Sequence, residues 1–271
     1  MNRHYISLWL LLLVAFIIFA VTSAFDMPEI AGYTQKSSGI YKALFAPRDT
    51  TATLDSEFDT SGDTCFIVPD IENDKVLFPV PCDTTSQVIM LFGDSMLEGL
   101  GPRLAAYAEE NGHILYTVMW YSSTSEVWGK SDKLESYIKK LNPTYIILCL
   151  GSNELFVSDI VEKREKYVKK IIADIDSIPY IWIGPPNWKR DTGINNLIAA
   201  NTPEGAFFLS DGMTFQRSKD GAHPTRSSAA LWLDSVMRWM PEHALHPIRM
   251  NIPSKATGRA KKIFVHQPNE N

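Results

Sequence analysis

The chain has 271 residues, a formal net charge of −5 and 45% hydrophobic side chains. That suits one globular domain of ordinary core size with extensions. The acid excess sets nucleic acid aside as a partner, because a basic footprint is missing. Sixteen prolines and fifteen glycines fit a loop-containing α/β protein.

The amino terminus, "MNRHYISLWLLLLVAFIIFAVTSAF", places Arg3 before an apolar run from Leu8 to Val21. A basic start followed by such a run is an export signal. Thr22-Ser23-Ala24 can serve as a small-residue cleavage site. Counted from Ile6 to Phe25, the segment is also as long as the ~20 residues that span a bilayer. Residues 1–25 are therefore expected to be a signal peptide or a retained membrane anchor. Either way the remainder lies in the periplasm or cell envelope, tethered in the second case and secreted in the first.

Residues 26–86 mix Ser, Thr and Asp clusters with short apolar patches, as in a tether followed by a small β element. Cys65 and Cys82 flank "FIVPDIENDKVLFPVP", which reads as two short strands around a polar turn. In an oxidising compartment the pair can form a disulfide worth about 3 kcal/mol for a loop of this size. A reduced pair is the alternative. Cys149, inside "YIILCL", reads as a buried thiol.

From Val88 the pattern becomes regular. "VIMLF" is a buried strand, followed by a helix to Asn111 with Leu97, Leu100, Leu104 and Tyr107 on one face and Gly112 as its stop. "HILYTVMW" is a second strand, "SDKLESYIKKLN" a short amphipathic helix and "TYIILCL" a third strand. A helix over "DIVEKREKYVKKIIADI" leads to the strands "YIWIG" and "AFFLS", and "SSAALWLDSVMRWM" closes the domain as a helix. Alternation at this spacing means right-handed βαβ units around a parallel sheet. The expected fold is a three-layer α/β/α sandwich with five parallel strands over residues 87–245. Residues 246–271, with Arg249, Lys255, Arg259, Lys261 and Lys262, read as a basic, flexible tail.

In open parallel sheets ligands bind beyond the carboxyl ends of the strands. The first strand ends in Gly93-Asp94-Ser95, the third in Gly151-Ser152-Asn153-Glu154, and "DGAHPT" with Asp220 and His223 follows the fifth. A serine hydroxyl needs a base, and histidine is the side chain suited to that near neutrality. Asp220 stands three residues before His223, where it can hold the imidazole in one tautomer. Asn153 offers an amide donor to an oxyanion, with the Ser95 N–H beside it. Each block alone has an ordinary reading as turn or helix cap. All of them at one sheet edge point to a shared site.

Between Val88 and Pro241 the chain resembles the SGNH (GDSL-type) hydrolases. "FGDSM" is similar to the nucleophile block, "LGSNE" to the block with the oxyanion asparagine, and "DGAHPT" to the Asp-x-x-His block. The resemblance implies a flavodoxin-like fold and serine-dependent ester hydrolysis, with no metal and no cofactor. One block departs. The family places a glycine N–H after the second strand, whereas this chain has "WYSSTSEVWG". Ser123 is expected to substitute through its backbone N–H. The Met96-Leu97 sequence after Ser95 lacks the second glycine of Gly-x-Ser-x-Gly and so argues against an ordinary α/β-hydrolase.

Asn187 and Trp188, in "GPPNWKR" after the fourth strand, are candidates to bind substrate. Trp120 and Trp128 are further aromatic candidates, with core packing the alternative for each tryptophan. His243 and His246 lack a clustered third ligand for a metal. The expected activity is hydrolysis of an O-acyl ester, such as O-acetyl, on an envelope or exopolysaccharide glycan through an acyl-enzyme on Ser95. The partners are then an acylated carbohydrate or other small ester, and the membrane through the N-terminal segment. An acyltransferase with the same residues and a non-catalytic glycan-binding scaffold are the rivals.

Overall fold

The computed structural model describes residues 81–268. The segment expected to direct export, nearly all of the expected tether and Cys65, with its expected pairing to Cys82, lie outside the described residues. Twelve elements follow in order: β1 (Val88–Gly93), α1 (Leu97–Glu110), β2 (Ile114–Trp120), α2 (Ser125–Lys130), α3 (Lys133–Leu141), β3 (Tyr145–Cys149), α4 (Ile160–Ile175), β4 (Tyr180–Ile183), α5 (Ile194–Asn201), β5 (Phe207–Phe208), α6 (Arg226–His243) and β6 (Lys262–His266).

The strands form one sheet in the order β5-β4-β3-β1-β2-β6, and every pair is parallel. Side chains alternate across the pleat, so the continuous apolar strands feed two cores at once. Ile89, Leu91, Ile147, Cys149 and Ile183 pack under α1 and α6 with Leu97, Leu100, Trp232 and Val236. Met90, Phe92, Ile146, Leu148 and Trp182 pack with Trp128, Val168, Ile171 and Ile198 on the other face. The result is the expected three-layer α/β/α sandwich. Thr225 caps α6, its hydroxyl accepting from the Ser228 N–H at 3.3 Å. Among the described residues no helix is long and apolar enough to cross a membrane.

The sheet has six strands, not five, and the sixth comes from the segment expected to be a flexible tail. β6 adds to β2 through Tyr116↔Lys262 to Trp120↔His266. Its Phe264 packs on Tyr137 with ring centroids 4.9 Å apart. The approach to β6 is tied down residue by residue. Arg103 Nη1 donates to the Lys255 carbonyl at 2.9 Å, Glu109 accepts from the Arg259 N–H at 2.8 Å, and Asp83 bridges in parallel to Ile248. Gly258 lies so close to α1 that a Cβ would stand 2.5 Å from the Ala105 carbonyl carbon. The basic residues that suggested a solvated tail accompany a strand, and the domain extends past 245.

Candidate active site

β1 ends where its neighbour leaves no room for a side chain. A Cβ on Gly93 would fall 2.1 Å from the Cys149 carbonyl oxygen of β3. The chain then turns, and Asp94 is fully buried. Its carboxylate accepts from the Met96 N–H at 2.9 Å and from the Ser152 hydroxyl, so it links the first strand end to the third. Burial pushes the Asp94 carboxyl from 3.8 up to about 6, and the bonds from Ser152 and Met96 only partly oppose that. Ser95, next in sequence, is half-buried at the start of α1.

His223 arrives from the segment before α6. Its Nε2 lies 2.8 Å from Ser95 Oγ, and its Nδ1 lies 2.7 Å from Asp220 Oδ2. The other Asp220 oxygen accepts the N–H groups of Ala222 and His223, at 2.9 and 3.0 Å. His223 first, and those two N–H groups next, hold the Asp220 carboxyl down to about 2. An ionised Asp220 accepts a hydrogen bond from Nδ1–H, which leaves Nε2 as acceptor for the serine hydroxyl. A hydroxyl, an imidazole and a carboxylate in line at the carboxyl edge of a parallel sheet have the geometry of a serine-nucleophile site.

The α/β/α sandwich with its all-parallel sheet is the architecture that the resemblance to the SGNH hydrolases implies. Several solved structures are similar to this chain, three of them as follows. A psychrotrophic esterase from Pseudoalteromonas sp. is 16% identical over 56% of this chain and 97% of its own, with a TM-score of 0.41. A salicylyl-acyltransferase from a tetracycline biosynthetic pathway is 14% identical over 58% of this chain and 55% of its own, with a TM-score of 0.41. A lipolytic protein of the G-D-S-L family from Desulfitobacterium hafniense is 15% identical over 55% of this chain and 97% of its own, with a TM-score of 0.38. No protein-family model matches the sequence, and no curated protein does.

The trio is held in place by a residue that its sequence pattern does not mark. Arg217 Nη1 donates to the Ala222 carbonyl at 2.6 Å, and Nη2 donates to the Pro186 and Asn187 carbonyls at 3.0 and 2.8 Å. It staples the Asp220–His223 turn to the loop after β4. A guanidinium that binds only carbonyls leaves no mark in a sequence pattern, whereas its targets are visible only in space.

The oxyanion side needs a correction. The Ser123 N–H closes a turn on the Trp120 carbonyl at 3.2 Å, and the Ser123 hydroxyl accepts from Trp128 Nε1 at 2.9 Å. Ser122 occupies the left-handed region at φ 56°, where glycine is favoured. Among the described residues, the Ser122 and Ser95 N–H groups have no protein acceptor. Ser122 therefore replaces Ser123 as the candidate backbone donor. Asn153 Nδ2 donates one proton to the Ser123 carbonyl at 2.9 Å, leaving its second N–H for a ligand.

Glu154 anchors this loop from behind. Its fully buried carboxylate accepts from the Ser125 N–H and hydroxyl, and Arg164 Nε stands 2.7 Å away. Trp120 and Trp128 are core residues, 3% and 0% exposed, and present no open face beside Ser95. Asn187 already spans Asp211 and Asn195. Trp188 is half-buried, its Nε1 donating to the Ser152 carbonyl at 2.9 Å. A separate cavity of about 580 Å³ near α2 and α3, lined by Trp120, Glu126, Lys130 and Lys133 among others, contains none of the trio.

Proposed function

We propose that the protein is a serine esterase that removes a small acyl group, acetyl in the first instance, from a glycan of the cell envelope or exopolysaccharide. The observation that carries this reading is the Ser95–His223–Asp220 line, with heavy-atom distances of 2.8 and 2.7 Å.

Ser95 Oγ attacks the ester carbonyl carbon while its proton passes to His223 Nε2. The carbonyl oxygen becomes an oxyanion that takes hydrogen bonds from the N–H groups of Ser95 and Ser122 and the free N–H of Asn153. His223 returns the proton to the departing sugar oxygen, which leaves as an alcohol and gives an acyl-Ser95 ester. A water then repeats the sequence, its proton going to His223 while acetate is released and Ser95 is restored. Asp220 orients the ring and stabilises the imidazolium without taking a proton. The side chains of His223 and Asp220 are 34% and 50% exposed. Water therefore reaches the acyl-enzyme, which favours hydrolysis over transfer to a second sugar. The basic start and apolar run of the N-terminal sequence, which have the pattern of an export signal, support an envelope substrate.

The test is turnover of p-nitrophenyl esters of graded chain length beside acetate release from an O-acetylated glycan, with Ser95→Ala as control. The reading predicts Ser95-dependent turnover that is best for acetyl. Ester turnover that survives Ser95→Ala contradicts it.

A further inference from the structure

On the sheet edge that carries the trio stands a group of side chains that the acyl chemistry does not use. Phe156, in the loop after β3, is 55% exposed. Its ring meets Trp188 edge to face at 6.2 Å. Lys189 Nζ lies over both rings, 4.6 Å from the Trp188 centroid and 5.1 Å from that of Phe156. The platform is fastened to the catalytic edge, since Trp188 Nε1 bonds the carbonyl of Ser152, the residue before Asn153.

Its charge is unbalanced. Lys189 and Arg190 are both exposed, and neither has an ion-pair partner among the described residues. The adjacent Asp191 is occupied, accepting the N–H groups of Gly193, Ile194 and Asn195 at the start of α5. Asp211 accepts from Asn187.

We propose that Phe156, Trp188 and Lys189 form the subsite for the alcohol half of the substrate, and that this half is a sugar bearing a carboxylate. The assignment rests on the esterase reading for its place in the reaction. The C–H face of a sugar ring is apolar and covers an aromatic ring, while the ring edge carries the polar groups. A cation held over two aromatic faces is attracted by their quadrupoles. A sugar ring laid on the exposed part of Phe156, clear of the face that the lysine covers, can bring a carboxylate on its edge to that cation. An aromatic surface alone would accept neutral and acidic sugars alike, so the lysine supplies the discrimination.

Binding and turnover are measured separately on the full chain. Calorimetric titration of the Ser95→Ala protein uses O-acetylated trigalacturonate and its methyl ester, which differ in the carboxylate charge. The free acid should bind about fivefold more tightly, as a partly exposed ion pair allows. Lys189→Met should erase that difference, Phe156→Ala should weaken both ligands, and Lys169→Met, on the far-placed Glu165 pair of α4, should keep the difference. Equal binding of acid and ester, or a difference that survives Lys189→Met, overturns the subsite. p-Nitrophenyl acetate turnover by the unmodified enzyme judges the esterase reading independently. Charge-selective binding without that turnover sinks the esterase and leaves the subsite, whereas turnover without selectivity does the reverse.

Discussion

The two halves of the site are held by opposite means. On the nucleophile side, Gly93 packs against the backbone of β3, Asp94 and Ser152 are fully or almost fully buried, and the Asp94 carboxylate ties the two strand ends together. On the His223 side, the turn from Ser218 to Thr225 is largely exposed and is kept in place by hydrogen bonds. The chief of these run from Arg217 to three carbonyls, from the Ser218 N–H to His223 O at 2.8 Å and from the Thr225 N–H to Gln216 O at 2.8 Å. A nucleophile must not shift, and packing fixes it. A base that moves protons to water and to a leaving group must meet solvent, and polar contacts fix it without covering it.

That contrast can be broken from either side. Among the changes outside the trio, the largest effect is expected at the oxyanion. Asn153→Ala should lower kcat by about 10²–10³-fold with little change in KM, because the lost donor acts only in the transition state. Steady-state kinetics on p-nitrophenyl acetate would show it, and a rise in KM at constant kcat would assign Asn153 to ground-state binding instead.

Arg217→Gln attacks the exposed half. Freed from its staple, the His223 turn should sample misaligned positions, so kcat should fall about tenfold at nearly constant KM. Arg217→Lys should restore only part of the loss, since one ammonium cannot span three carbonyls. Equal kcat in all three proteins would show that the turn is held by its own backbone bonds.

The buried half answers to pH. With Asp94 raised from 3.8 to about 6, the folded state favours the neutral acid. Its contribution is complete below about pH 4 and is lost as the pH rises through 6. Asp94→Asn keeps an uncharged group there at every pH. The variant should therefore gain stability over the parent between pH 4.5 and pH 8, by an amount of order 2–3 kcal/mol. Urea unfolding at the two pH values measures this, and a pH-independent difference would place the Asp94 charge elsewhere.

The smallest effect concerns Ser122. Left-handed backbone costs a non-glycine residue about 1 kcal/mol. Ser122→Gly should raise stability by up to about that amount and keep activity, because the N–H donor survives the change. A tenfold loss of turnover would mean that the hydroxyl, not the N–H, is the working group.

How far the sequence could be read follows the same division. Gly93, Asp94 and Ser95 sit at the end of an apolar run, so both strand and site are local features of a dozen residues. Asp220 and His223 are three positions apart and carry their own geometry. β6 was hidden because its partner β2 lies some 140 residues earlier. Lysines and arginines around "KIFVH" also mask a strand that buries only one face. α2 is a six-residue helix inside "WYSSTSEVWG", too short to show a period. Ser123 was assigned to the oxyanion by its place in the chain, whereas the turn from Trp120 to Ser123 directs its N–H inward. Turn type depends on backbone angles that side-chain identity alone does not reveal.

The central claim is that Ser95 is the nucleophile and that His223 activates it. The direct measurement is covalent labelling of the full chain by a p-nitrophenyl alkylphosphonate, followed by peptide mass spectrometry. The account predicts one equivalent of nitrophenol released per protein, with the phosphonyl adduct on Ser95. It predicts labelling slowed by at least about 10³-fold in His223→Ala. An adduct on another residue, or labelling of Ser95 that proceeds as fast without His223, would contradict it.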